Sequence, residues 1–157
     1  MMISPEVLRR FPFFAHFSDA SLKLIAMAGE MQRFQAEEWI LLEGNQASDL
    51  CLLLSGEIHV AFRMGNGDLA VSDTITPGEA FSWSALLAPF ILTSSCIGSK
   101  SGEYIAIHAG VLEDLRTQDP EGTLYLMMEI AKTMRDRMNA LRVQIVANTP
   151  KLVLSET

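Results

Sequence analysis

The sequence has few of the residues that mark secreted or membrane-embedded proteins. It has two cysteines, Cys51 and Cys96, both inside apolar strand-like segments, which favours buried free thiols, although the spacing alone leaves a disulfide open. No apolar run approaches the roughly 18–20 residues that a membrane-spanning helix needs. The N-terminus has neither the basic start nor the apolar stretch of a signal peptide. We therefore expect a cytoplasmic chain with no membrane partner.

Positive charge is also scarce, with 12 Lys and Arg against 19 Asp and Glu and a net charge of −7. An acidic chain without a basic stripe is poorly suited to nucleic-acid phosphates. His16, His59 and His108 have no metal-ligand spacing among themselves or with the cysteines. The sequence contains no phosphate-binding glycine loop, nucleophile elbow or acid pair at helical spacing. We expect no DNA binding, no metal site, no catalytic residues and therefore no enzyme.

The 157 residues, 49% apolar and 20% charged, predict one globular domain covering residues 1–157. Apolar positions alternate through Phe34–Val60, which predicts strand, glycine turn, strand, glycine turn and strand. The two turns fall at Glu43-Gly44-Asn45 and at Ser55-Gly56. A hairpin turn is predicted at Gly65–Asp68, followed by a strand that ends at Pro77-Gly78.

Beyond this point the pattern changes twice. Ser82 or Ser84 could cap one helical turn, residues 90–97 and 103–108 are predicted as extended, and helical periodicity follows. The predicted fold is mainly β with flanking helices: a β-roll at about 30–108, N-terminal helices before it, and C-terminal helices at about 109–147, the last one long. Capping residues and apolar spacing predict the helices. They lie at 5–10, 21–28, 111–115 and 120–147.

The long helix carries an apolar seam with separations of four, three, four, three and four residues. This heptad spacing allows two helices to supercoil about each other, so we predict a homodimer through this helix. The alternative is a helix that lies on its own sheet. The predicted interface residues are Met127, Ala131, Met134, Met138, Leu141 and Ile145.

The strands and glycine turns of residues 40–60, together with Pro77-Gly78 and Phe81, resemble a cyclic-nucleotide-binding domain. This is the small β-roll of catabolite activator proteins and protein kinase regulatory subunits. The resemblance implies an antiparallel double-stranded β-helix, or jelly-roll, and a ligand-sensing regulatory protein whose default effector is cyclic AMP. One position departs early, because Ala36 stands where a glycine is usual.

The family's phosphate-binding segment, as the resemblance implies it, has a glycine and backbone amides at the cyclic phosphate, a glutamate at the ribose and an arginine at the phosphate. Here Ser82, Trp83 and Leu92 occupy those three positions. We therefore expect a hollow whose charged anchoring pair has been replaced by uncharged side chains. Losing both contacts should weaken cyclic AMP binding by roughly two to three orders of magnitude. A more apolar or less anionic ligand is the better match.

Other residues of this region could still hold a ligand. The amides of Ser84 and Ala85 could form a general anion seat, the hydroxyls of residues 93–95 could donate hydrogen bonds, and Trp83 could stack on a ring. Each also has a purely structural interpretation, with Trp83 and Leu92 packed, the hydroxyls facing outward and Arg137 exposed. The candidate ligand-binding residues are Phe81, Ser82, Trp83, Ser84, Ala85, Leu92, Thr93, Ser94, Ser95 and Arg137.

Two functions remain open at this point. The first is a stand-alone regulatory domain that binds a small-molecule effector, with no other cofactor, and transmits occupancy through its C-terminal helix. The second is a degenerate domain without a nucleotide ligand that serves as a dimerising protein-interaction module. Because residues 148–157 are all that follow the long helix, we expect no DNA-reading domain in this chain.

Overall fold

A six-stranded antiparallel sheet forms the centre of the computed structural model, which describes residues 3–151 and residue 154. Its strand order is β1-β6-β3-β4, with β2 paired to β6 and β5 paired to β3. The strands are β1 Gly29–Phe34, β2 Trp39–Leu41, β3 Asp49–Arg63, β4 Leu69–Ile75, β5 Ala80–Phe81 and β6 Ser95–His108. The helices are α1 Pro5–Arg9, α2 Asp19–Ala28, α3 Ala109–Gln118 and α4 Pro120–Ala147, with 3-10 turns at Pro12–Phe14 and Trp83–Leu86. The predicted rolled antiparallel sheet with flanking helices is confirmed.

The two longest strands, β3 and β6, bend past each other at glycines. The turn predicted at Ser55-Gly56 is wrong, because β3 runs unbroken through it with a bulge in its register to β6. Gly56 has φ 83°, and a Cβ there would lie 2.6 Å from the carbonyl oxygen of Lys100. Gly102 packs against the same point from β6. Positive φ serves a bulge as well as a turn, which is why the sequence pattern was ambiguous.

One further prediction for the loops needs correction. Residues 90–97 are not extended throughout, because Phe90 has φ 61° and β6 begins only at Ser95. In the turn before β2 the positive φ falls at Glu37, at 69°, one residue after Ala36, the position where a glycine is usual in the family that the sequence resembles. Both are places where a non-glycine residue adopts the left-handed conformation that glycine adopts at lower cost.

The hairpin between β3 and β4 forms as predicted. The Met64 N–H donates to the Asp68 carbonyl at 2.7 Å, and the Gly67 N–H donates back to the Met64 carbonyl at 2.9 Å. The Pro77-Gly78 turn is also present, with φ 94° at Gly78. These turns align β4 antiparallel to β3 and place Asp73 on the inner part of the roll.

Two large buried apolar clusters and a third, small one stabilise the fold. One joins the helices to one face of the sheet, and its most buried members include Phe14, Ile25, Leu52, Ile107, Leu126 and Ile130. The other large cluster fills the roll and includes Phe34, Leu53, Ile58, Ile75 and Phe81. Cys51 and Cys96 belong to the second cluster as free thiols, as expected, and burial raises the pKa of Cys96 to about 12. None of the helices in the described residues is long and apolar enough to cross a membrane.

Asp119 connects the beginnings of two helices. Its carboxylate caps α4 by accepting from the Gly122 N–H at 3.1 Å. It also accepts from the Ser18 N–H at 3.0 Å and from the Ser21 hydroxyl at 2.6 Å, both at the start of α2. The predicted start and end of α4 are confirmed, and this shared cap holds its first turn against the N-terminal helices.

Candidate ligand-binding cavity

A cavity of about 300 Å³ lies between the β-roll and the second half of α4. Strands β2, β3 and β4 supply mostly apolar walls, including Leu41, Val60 and Ile75. The 3-10 turn after β5 and the segment before β6 close the sides. Helix α4 forms the roof with Met134, Arg137, Met138, Ala140, Leu141 and Gln144. The volume is at the lower end of the range for small-molecule sites.

Most of the candidate ligand-binding residues lie at this cavity. They are Phe81, Ser82, Trp83, Ser84, Leu92, Thr93, Ser94 and Arg137. Ala85 and Ser95 do not line it. Ala85 is buried in a small cluster with Ala47 and Leu92, and the Ser95 hydroxyl accepts the Glu43 N–H at 2.9 Å. Leu92 is 6% exposed, so it is both a packed residue and part of the wall.

The 3-10 turn at Trp83–Leu86 begins with Ser82 in the left-handed conformation, at φ 61° and ψ 33°. Ser82 therefore has the backbone shape that glycine adopts at lowest cost. Its side chain does not cap the turn. The Ala85 N–H donates to the Ser82 carbonyl at 3.2 Å, so this amide is not free for a ligand. Of the two amides expected to bind an anion, those of Ser84 and Ala85, the Ala85 amide is thus already used within the turn.

Arg137 reaches from α4 into the cavity instead of pointing to solvent, and its side chain is only 19% exposed. Its Nε lies 2.9 Å from Asp73 Oδ2, and its Nη2 lies 3.5 Å from Glu79 Oε2. Its guanidinium carbon is 4.6 Å from the centre of the Trp83 ring, a cation–π distance. We expected uncharged side chains in place of the family's charged pair, and Trp83 and Leu92 do line the cavity, but Arg137 and Asp73 bring charge into it that we did not expect. A guanidinium and a carboxylate do converge, from α4 and β4 and not from the ligand segment.

Sequence reasoning missed Asp73 and Glu79. Asp73 alternates with Ile75 on β4, so it shares the inward face, and that spacing was the available signal. Glu79 follows Gly78, and its carboxylate also accepts from the Thr76 N–H and hydroxyl at 2.9 and 2.6 Å. The turn thus holds Glu79 beside the cavity.

The contacts of the guanidinium are close but poorly aligned. Within the described part of the chain, Asp73 Oδ2 and Arg137 Nη2 are both buried, and neither makes a hydrogen bond. The formal charges of Arg137, Asp73 and Glu79 sum to −1. A partly buried cluster with this charge does not attract a phosphate monoanion as an unpaired arginine would. The cavity is therefore mainly apolar, with a cation that its neighbours already neutralise.

The six residues of the predicted dimer seam divide into two groups. Met127 and Met134 are half-buried against the chain's own helical core. Ala131, Met138, Leu141 and Ile145 are exposed. Met134, Met138 and Leu141 also form part of the cavity roof. The heptad spacing therefore combines a face that packs inside the protein with a face that is open.

The chain is similar to known proteins over most of its length. Residues 31–119 match the family model of the cyclic nucleotide-binding domain, which is more than half of the 157 residues. The chain belongs to the cyclic nucleotide-binding domain family, and the resemblance seen in the strands and glycine turns is confirmed. No curated protein sequence matches the chain.

Solved structures agree with this assignment. A protein from Geobacter metallireducens, assigned to the cyclic nucleotide-binding proteins, is 30% identical with a TM-score of 0.75, and the match covers 87% of this chain and 99% of that one. A cyclic nucleotide-binding domain from Methylobacillus flagellatus is 14% identical with a TM-score of 0.80, covering 98% and 90%. The catabolite activator protein of Thermus thermophilus is 18% identical with a TM-score of 0.69, covering 87% and 63%. The last two show the fold alone.

Proposed function

We propose that this chain is a ligand-sensing regulatory domain without catalytic activity, in which a small molecule occupies the cavity and α4 transmits its presence. The observation that carries this proposal is that α4 forms the roof of the cavity. A ligand there would contact Met134, Arg137 and Leu141 directly. Its differential affinity for two positions of the helix would then shift the population between them.

A cyclic nucleotide is the first effector to test, since the chain belongs to that family. We expect cyclic AMP to bind weakly. Trp83 and Leu92, which we assign to the positions of the family's two charged anchors, line the cavity without charge, and Asp73 and Glu79 already neutralise Arg137. The cavity is nevertheless open beside Thr93, and Phe90 is 44% exposed and does not fill it. An open cavity supports a sensor more than a degenerate domain.

The test is thermal melting with a panel of cyclic mono- and dinucleotides at millimolar concentration, with hydrogen exchange of α4 measured alongside. A ligand at 100 times its dissociation constant adds about 2.7 kcal/mol to the free energy of unfolding. That corresponds to a shift of several degrees in a domain of this size. A ligand that raises the melting temperature and changes exchange in residues 134–147 supports the proposal. A flat response to cyclic AMP removes that nucleotide as the effector.

The assignment of Trp83 and Leu92 to the anchoring positions can be tested by restoring the charges. Trp83→Glu with Leu92→Arg should raise cyclic AMP affinity at least tenfold, or about 1.4 kcal/mol, because both charge-assisted contacts return. The matched control is Trp83→Gln with Leu92→Met, which changes the same side chains without adding charge. Titration calorimetry measures both. Equal affinities for the two variants would contradict the assignment.

The second candidate, a dimerising interaction module, is favoured by the exposed apolar residues of α4. Ala131, Met138, Leu141 and Ile145 have no cover in one copy of the described chain. We propose that a second copy covers them, since a parallel or antiparallel pair of α4 helices would bury the same seam on both. Dimerisation is compatible with ligand sensing and could be the means by which α4 transmits it.

A further inference from the structure

We propose that Trp83, Asp73 and Glu79 form a binding site for an organic cation, and that Arg137 occupies this site in the ligand-free protein. The effector is then a small molecule with a compact cationic group and an apolar body, which takes the place of the Arg137 guanidinium. This inference rests on the proposed sensing function and names the chemical class of its ligand.

The groups around the Arg137 guanidinium are those that suit a cation. An aromatic face on one side and two carboxylates at the edges are the partners that an ammonium or guanidinium group prefers. Arg137 shows that the space accepts a planar cation, since its guanidinium carbon lies 4.6 Å from the Trp83 ring centre. The same group lies 2.9 Å from Asp73 and 3.5 Å from Glu79. The site is therefore built and filled, but by a side chain from the roof.

The negative charge of the cluster also favours a cationic ligand. With Arg137 in place the formal charge of the cluster is −1, and with Arg137 withdrawn it is −2. In the described part of the chain, the charged residues that line the cavity are Asp73 and Arg137, and all the others are uncharged. An anionic ligand would have to approach two carboxylates, whereas a cation would restore the balance that Arg137 provides.

Arg137 itself fits this site imperfectly. Asp73 Oδ2 and Arg137 Nη2 are buried without a hydrogen bond in the described structure. Burying polar groups unpaired costs free energy, so a freely placed cation that aligned with both carboxylates would bind them better than the tethered guanidinium does. Such a ligand can compete even though Arg137 is always nearby.

The rest of the cavity defines the body of the ligand. Its remaining walls are mainly apolar, with Val60, Ile75, Leu92 and Leu141 among them. A short alkyl or aromatic group attached to the cation would lie against these side chains and gain from burial. Once the ligand cation replaces the guanidinium, the link from α4 to β4 and to the turn at Glu79 is broken. Release of this link couples the site to the helix.

The test compares three ligands of similar size and different charge: butylguanidinium, neutral butylurea and anionic pentanoate. Trp39→Phe leaves Trp83 as the sole tryptophan, so that its fluorescence reports on the site. In this background butylguanidinium should bind at least tenfold more tightly than butylurea, and pentanoate should bind least. Arg137→Met should increase the affinity for butylguanidinium at least tenfold, because the tethered competitor is gone. Arg137→Gln is the second variant, in case the methionine impairs folding.

Adding Asp73→Asn and Glu79→Gln to Arg137→Met should lower the affinity for butylguanidinium to that for butylurea. Equal binding of the charged and neutral ligands to Arg137→Met, or no binding of either, would overturn the cation site. Butylguanidinium could also bind to Arg137→Met but give no response with the protein that retains Arg137, even at 100 times the concentration that half-saturates Arg137→Met. That result would overturn the assignment of a cation as the effector.

Hydrogen exchange of residues 134–147 separates this inference from the proposed function. If butylurea or pentanoate binds best and alters exchange in α4, the cation class is wrong and the sensing function stands. If butylguanidinium binds at Trp83 but leaves α4 exchange unchanged, the cation site stands and transmission through the helix is wrong.

Discussion

The two halves of α4 differ in what holds them in place. In the first half, Leu126 and Ile130 are each 1% exposed, packed against the N-terminal helices and the sheet. The second half lies over an open cavity, where Arg137 makes ion pairs to Asp73 and Glu79. Residues 138–147 are all exposed.

This difference shows where the helix is anchored and where it can move. The first half of α4 makes many apolar contacts, and moving it would leave an empty space in the core that nothing else fills. An ion pair over a cavity has competitors, because a ligand or water can take either partner. The first half therefore serves as a fixed base, and the second half is the part whose position a ligand can change.

The largest expected effect comes from Ile130 in the fixed half. Ile130→Ala should lower the free energy of unfolding by about 2–5 kcal/mol, because it creates a cavity in the main core. Met138→Ala, in the second half, should cost less than about 1 kcal/mol, since this side chain is already 48% exposed. Urea unfolding measures both. Similar losses for the two variants would mean that the halves are equally anchored.

Asp119→Asn should keep an acceptor for the Gly122 N–H but lose the one shared by the Ser18 N–H and the Ser21 hydroxyl, since an amide has a single oxygen, and so lower the free energy of unfolding by roughly 1–2 kcal/mol. Burial acts to raise the pKa of Asp119, but hydrogen bonds from Ser21, Ser18 and Gly122 outweigh it and the pKa lies below its usual value. The stability that the carboxylate contributes is thus complete above its unfolded-state pKa and is lost as pH falls through the lower folded-state pKa.

Melting temperatures between about pH 2 and pH 6 check this. The native protein should lose part of its stability toward the acid end, and Asp119→Asn should lose less over the same range. Asp114→Asn, an exposed change on α3, is the control and should follow the native curve. A variant Asp119→Asn with an unchanged acid dependence would show that the cap does not fix the helix.

The exposed side of the second half leads to a prediction about assembly. Leu141→Glu with Ile145→Glu should shift the protein to a monomer, with a dimer dissociation constant at least tenfold higher, or about 1.4 kcal/mol. Asn139→Glu with Val143→Glu adds the same charge on the opposite face of α4, since each residue advances about 100° around a helix. Sedimentation should show this control to be a dimer. If both pairs remain dimeric, α4 is not the interface.

The smallest expected effect lies below the second half, at Ser82. Ser82→Gly should raise the free energy of unfolding by up to about 1 kcal/mol, because glycine adopts φ 61° without the Cβ crowding that serine has. Ser84→Gly, in the same turn, is the control and should be neutral or destabilising. Thermal melting distinguishes them, and a stabilising effect of both would point to the unfolded chain and not to the left-handed conformation.

Much of this architecture was predictable because its signals are local. Asp119 and Pro120 mark the start of α4, the apolar spacing continues to Ala147, and Asn66-Gly67 selects the hairpin. The position of the segment that lines one side of the cavity followed from Pro77-Gly78 and Phe81. The bulge at Gly56 was misread as a turn, since a positive φ suits both.

Arg137 could not be placed from its own neighbourhood. An arginine on an amphipathic helix is ordinarily solvated, and its two partners lie on β4 and on the following turn, far away in the sequence. Only the closure of the roll brings the three together. The charged state of the cavity therefore depended on tertiary contacts that no local pattern contains.

The glycine crossing of β3 and β6 has a consequence for how the chain tolerates substitution. A methyl group at Gly56 or Gly102 would collide with backbone atoms of the opposite strand, which cannot turn aside as a side chain can. Gly44, Gly65 and Gly67, by contrast, have no neighbour within 4 Å of an added Cβ. A complete scan of alanine replacements should therefore show a tolerated change at Gly65, a moderate cost at Gly44 and Gly67, whose φ values of 88° and 91° disfavour any Cβ, and forbidden changes at Gly56 and Gly102. The crossing of β3 and β6 at Gly56 and Gly102 therefore restricts sequence change in the roll more than the loop glycines do.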